Sequence, residues 1–145
     1  MTTTAWRWWG AAALLLAACS QSPAGAGLEV IDARLRTPVP GQDKTAGYFT
    51  LNNRSRETVV LVGAESPAAR SVEMHTSERD GDVMRMRRLT EVVVPAGEAV
   101  RFEPGGRHLM LFGVSSLGDA TEIVLLGRDG RRIPVTFETI AMGDE

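Results

Sequence analysis

The chain has 145 residues, 43% hydrophobic and 23% charged, with a formal net charge of −2. These values fit one globular domain and exclude a disordered chain, two full domains, or the basic excess of a nucleic-acid binder. A single cysteine excludes an intramolecular disulfide framework and a cysteine-based zinc cluster.

Residues 1–18 read as a signal peptide. Arg7 precedes an apolar run from Trp8 to Ala18 that is too short to span a bilayer. The run ends Leu16-Ala17-Ala18-Cys19, which resembles a bacterial lipobox. That resemblance implies cleavage before Cys19 and a diacylglycerol thioether on its sulfur. Ser20, rather than Asp, then implies outer-membrane sorting if the cell is Gram-negative. Acyl chains would hold the protein to the extracytoplasmic side of a membrane. With its one thiol lipidated, the chain keeps no cysteine for nucleophilic, redox or metal chemistry. Residues 19–27 are small and polar and read as a flexible tether. The folded domain is placed at 28–141, and 142–145 form a short tail.

The domain reads as short strands. Glu29 to Arg36 alternates, with Ile31, Ala33 and Leu35 expected on one face. A proline-containing loop covers 37–44. Further strands are predicted over 46–51, 58–62 and 72–76. The segment 78–82 carries a central Asp-Gly and predicts a hairpin turn, with 83–89 pairing back from it. Strands over 91–94, 99–103, 107–112, 122–126 and 132–139 follow, separated by Pro/Gly turns and Arg128-Asp129-Gly130. No segment carries a helical stripe. Short strands at this spacing predict an all-β sandwich or barrel whose core is mainly Val, Leu and Ile.

Both histidines, His75 and His108, lie within residues 74–110, together with Met74, Met84, Met86 and Met110. On a strand, side chains two apart share a face. His108 and Met110 therefore point one way, with Leu109 and Leu111 on the other side. Met84 and Met86 likewise share a face, while Met74 and His75 point oppositely. Imidazole plus thioether is a soft to borderline donor set that favours Cu(I) over Ca²⁺ or Mg²⁺. Zinc more usually recruits Cys or a carboxylate.

The spacing His75, ten residues, Met86, 21 residues, His108, one residue, Met110 resembles the H-x10-M-x21-H-x-M motif of the PCuAC periplasmic copper chaperones. Val72-Glu73-Met74-His75, Met84-Arg85-Met86-Arg87, Val94-Pro95-Ala96-Gly97 and Pro104-Gly105-Gly106-Arg107-His108-Leu109-Met110-Leu111 also look like that family, as does Ala46-Gly47-Tyr48-Phe49 with Asn52-Asn53. The resemblance runs from Leu28 to Ile140. It implies a cupredoxin-like β-sandwich that binds one Cu(I) through His75, Met86, His108 and Met110. It implies a carrier, not an enzyme, that surrenders copper by ligand exchange. The acceptor would be the CuA centre of cytochrome c oxidase, reached at subunit II or through another copper chaperone, or the protein would serve copper homeostasis. Some members carry a His- and Met-rich C-terminal tail. Here the residues after Ile140 hold no histidine, so a single site is expected.

Other readings stay open. Met74 is expected in the core, Met84 is a candidate auxiliary ligand, and Met142 is expected to be exposed. Arg85, Arg87 and Arg107 are candidates for the rim of the site. A blue-copper electron carrier is disfavoured because it needs a Cys thiolate. A hydrolase built on Ser115, Ser116 and Asp119 lacks a recognisable nucleophile–base arrangement. A metal-free β-sandwich lipoprotein acting as a binding or assembly module is the alternative function.

Overall fold

A computed structural model describes residues 27–141. The signal segment, the proposed lipidation at Cys19, most of the tether and Met142 lie outside the described residues.

Ten strands and no helix make up the described chain: β1 (Leu28–Arg36), β2 (Lys44–Asn53), β3 (Val59–Glu65), β4 (Ser71–Asp80), β5 (Val83–Leu89), β6 (Val92–Val94), β7 (Ala99–Phe102), β8 (Arg107–Phe112), β9 (Ala120–Gly127) and β10 (Arg132–Ile140). Hydrogen bonding runs β5-β4-β8-β2-β1-β10-β9-β3-β6, and β7 pairs with β2. One further pairing, Ala64 of β3 with Val72 of β4, brings the ends of this path together. The sheet thus curls back on itself around one core, as the alternating pattern predicts.

Strict alternation builds that core. In β2, every second residue from Thr45 to Asn53 is buried. Phe49 stacks on Phe102 at 4.3 Å between ring centres and meets Phe137 edge-on at 5.8 Å. Leu35, Leu51, Leu61, Leu109, Leu111, Ile123 and Leu125 are fully enclosed around them. Each such side chain contributes about 1.5–3 kcal/mol of burial. Asn53 is a buried polar anchor: its Nδ2 donates to the carbonyls of Glu57 (2.8 Å) and Val94 (3.0 Å), and its Oδ1 accepts from Ser55 N–H and O–H.

The structure corrects the reading of β1. Ile31 is 41% exposed, whereas Leu28 and Val30 pack against the core. Between Ile31 and Arg34 the register with β2 shifts, and Asp32 adopts φ 54°. The extra residue is a β-bulge, and Asp tolerates its left-handed conformation. The bulge resets the parity, so Ala33 and Leu35 do face inward while Ile31 does not. The hairpin is also tighter than read. Asp80 pairs with Val83, leaving only Gly81-Asp82 as the loop, with Gly81 at φ 63°. Glycine at the first central position suits a type II′ turn.

Two arrangements position the site. β4 lies between β5 and β8. β2 pairs with β8 over its first half and with β7 over its second, so the Glu103–Gly106 turn joins two strands lying along one neighbour.

Candidate metal centre

Strand pairing brings the predicted residues to one surface. His75 of β4 lies opposite His108 of β8 on one side and Arg88 of β5 on the other. Ser77 lies opposite Met86, and Glu73 opposite Met110. By two-residue parity, Glu73, His75 and Ser77, Met84, Met86 and Arg88, and His108 and Met110 share the face turned from the core. The alternate residues Met74, Leu109 and Leu111 are buried beneath them. Met86 is diagonal to His75. Between Met86 and β8 stand only Ser77 and Gly106, joined by the Ser77 N–H to Gly106 carbonyl bond of 3.0 Å. These small residues leave room for the Met86 side chain to lean toward His108.

Met86, His108 and Met110 line an open cleft of about 260 Å³, with Tyr48 and Val39 on its far side. Met86 is 54% exposed and His108 5%. His75 stands behind, its side chain 13% exposed. Its ring centre is 6.0 Å from that of His108, tilted by 34°, and 6.3 Å from that of Phe112.

The ring nitrogens have distinct partners. His108 Nδ1 lies 3.0 Å from the Gly106 carbonyl oxygen, so that nitrogen carries the proton and Nε2 holds the lone pair. His75 Nε2 lies 2.9 Å from Glu73 Oε2, and its Nδ1 is buried without a hydrogen-bond partner. Burial holds the His108 pKa below the ordinary histidine value; the Gly106 carbonyl opposes this, and the neighbouring His75 adds to it. His108 therefore stays neutral, as a ligand must, to lower pH than an ordinary histidine does. A ring bound through nitrogen at about 2.0 Å has its centre about 3 Å from the ion, so two rings sharing an ion lie about 6 Å apart or less. The observed separation falls at that limit. An orphaned imidazole nitrogen, a second imidazole lone pair and two thioethers fit a soft metal ion, and no carboxylate is needed as a ligand.

Other residues fall where parity puts them. Met74 is in the core. Met84 shares the face of Met86 but lies one step further toward the hairpin tip, opposite Arg79, and does not line the cleft. Arg85 and Arg87 do not rim the site: on the other face of the hairpin they pair with Asp80 and Glu78. Arg107, opposite Thr76, also lies off the site face. Glu73 and Arg88 are site neighbours that sequence reasoning does not single out. The signal for Glu73 is its position two residues before His75; Arg88 needs the hairpin register.

A family model described as lipoprotein LpqE-like matches residues 28–139. The chain belongs to the LpqE-like family, of the PCuAC type. Among relatives of this LpqE-like chain, Lxx21020 of Leifsonia xyli subsp. xyli, named as a lipoprotein, is 29% identical over 127 residues, covering 85% of this chain and 76% of its own. The copper-bound PCuAC domain from PmoF2 superposes with a TM-score of 0.68 at 23% identity, over 80% of this chain and 94% of that one. The solution structure of CuI-DR1885 from Deinococcus radiodurans gives 0.60 at 27% identity, over 85% and 82%. The LpqE-like chain therefore has the cupredoxin-like all-β fold of these domains.

Proposed function

We propose that this LpqE-like chain is an extracytoplasmic copper chaperone holding one Cu(I) through His75, Met86, His108 and Met110. The carrying observation is the pairing of His75 with His108, ring centres 6.0 Å apart, beside two thioethers on the same surface. The copper-bound relatives support the identity of the ion. Neutral ligands leave the ion its positive charge, and an open cleft keeps that charge partly solvated. The chain acts by ligand exchange: exposed Met86 is released first, an acceptor's donor replaces it, and the less exposed histidines let go last. The reading is of a carrier rather than a catalyst. The acceptor is the CuA centre of cytochrome c oxidase or a component of copper homeostasis. Lipid on Cys19 tethers the domain to the membrane, in keeping with a relative named as a lipoprotein.

The test is an anaerobic titration of the Cys19→Ser chain from residue 19 with Cu(I) against a colorimetric chelator. One tight equivalent, lost on joint His108→Ala and Met110→Leu replacement with the fold intact, is expected. Failure of the wild-type sequence to compete with the chelator would refute the proposal and leave a metal-free binding or assembly lipoprotein.

A further inference from the structure

We propose that Glu73 is a positioning residue that fixes the tautomer of His75, so that His75 offers Nδ1 to the ion while His108 offers Nε2. The inference rests on the reading of His75 as a ligand and deepens it. Glu73 and His75 are two apart on β4 and share a face, which brings Glu73 Oε2 to 2.9 Å from His75 Nε2. A carboxylate accepts and does not donate, so Nε2 must carry the proton. In the neutral ring the lone pair then sits on Nδ1, the one imidazole nitrogen that is buried with no partner. A buried acceptor left unpaired costs free energy, and an electrophile in the site relieves that cost.

The carboxylate is itself held. Glu73 Oε1 lies 3.2 Å from Arg88 Nη1, and Arg88 sits across the hairpin from His75 in register. The two oxygens of Glu73 thus act separately. One orients the imidazole, and the other is tied to β5, the strand that carries Met86. A carboxylate on the distal N–H of a ligating histidine also raises the basicity of the ligating nitrogen. His108 reaches the opposite tautomer by a different route, through the backbone carbonyl of Gly106. No side-chain substitution can remove that carbonyl, so the two rings are controlled independently.

The decisive measurement uses the metal-free Cys19→Ser chain, ¹⁵N-labelled, at a pH where both rings are neutral. Long-range ¹H–¹⁵N correlation spectra report which nitrogen of each ring is protonated. The parent chain should show His75 protonated at Nε2 and His108 at Nδ1. Glu73→Ala should shift His75 to a mixture or to the other tautomer and leave His108 unchanged. Glu73→Gln, which keeps the volume and protects the fold, should move His75 in the same direction by less. In the chelator competition, Glu73→Ala should lower Cu(I) affinity about 10–100-fold without abolishing it. An unchanged His75 tautomer in both variants overturns the proposal. So does a shifted tautomer with unchanged affinity, because His75 would then not be the nitrogen that binds. Absence of Cu(I) binding by the parent chain is a separate result: it refutes the copper reading, and the tautomer spectra distinguish it from failure of the Glu73 assignment.

Discussion

Two methionines twelve positions apart in the β4–β5 hairpin should respond in opposite ways to removal. Met74 is 2% exposed within the core. Met74→Ala deletes a buried side chain and leaves a cavity, which costs about 2–5 kcal/mol. The surrounding Val72, Leu109 and Leu111 are anchored in paired strands and collapse poorly into the space, so the upper half of that range is expected. Met86 is mostly exposed over Ser77 and Gly106, and Met86→Ala should change stability by less than about 0.5 kcal/mol. Its Cu(I) affinity should nevertheless fall at least about tenfold, since even losing a group that only supports a ligand costs about 10–100-fold. Urea denaturation of the metal-free chains measures the first quantity. Chelator competition, below the denaturation midpoint of Met74→Ala, measures the second. If folded Met74→Ala loses affinity as Met86→Ala does, or if Met86→Ala is the more destabilised, then the assignment of faces in β4 and β5 is wrong.

Asn53→Ala removes the donor that satisfies the Val94 and Glu57 carbonyls and should cost about 2–3 kcal/mol, read as a lowered urea midpoint. Gly113 adopts φ 65°, and a Cβ there would stand 2.7 Å from Arg70 Cβ, so Gly113→Ala should destabilise by about 1–3 kcal/mol in a thermal melt. The lowered pKa of His108 means that the unfolded chain binds the proton more readily than the folded one, so stability should rise with pH between the depressed folded-state pKa and the ordinary histidine value. Acidifying the metal-free protein from about pH 7.5 to about pH 5 should therefore lower its denaturation midpoint, and His108→Gln should flatten that slope. Cys19→Ser should release the protein from membranes on cell fractionation, and retention would argue against the lipid anchor.

Much of this architecture is legible in the residues because alternation and turn chemistry are local. β2, β8 and β9 show their buried faces directly, and parity alone separates Met74 from His75 and pairs His108 with Met110. What local pattern cannot reveal is register and insertion. The bulge at Asp32 inverts the first half of β1 because an extra residue carries no compositional mark of its own, yet it moves every earlier side chain to the other face. The roles of Arg85, Arg87 and Arg88 depend in the same way on one register. Once Gly81-Asp82 is the loop, Arg88 and not its neighbours falls opposite His75. The proximity of the two histidines is a long-range fact set by β4 pairing with β8, and only the matched motif spacing hints at it in the sequence.

The strand order also makes the candidate centre mechanically uneven. His75 and His108 ride on β4 and β8, each bound by neighbours on both sides, whereas Met86 rides on β5, which ends the sheet and is bound on one side only. Three of the four proposed donors thus belong to the rigid frame and the fourth to its free margin. A rigid part sets how closely an ion is matched, and a compliant part sets how fast it can leave. Selectivity and speed of delivery would then be separately adjustable in this protein: the first through the frame, the second by stiffening or loosening one outer strand.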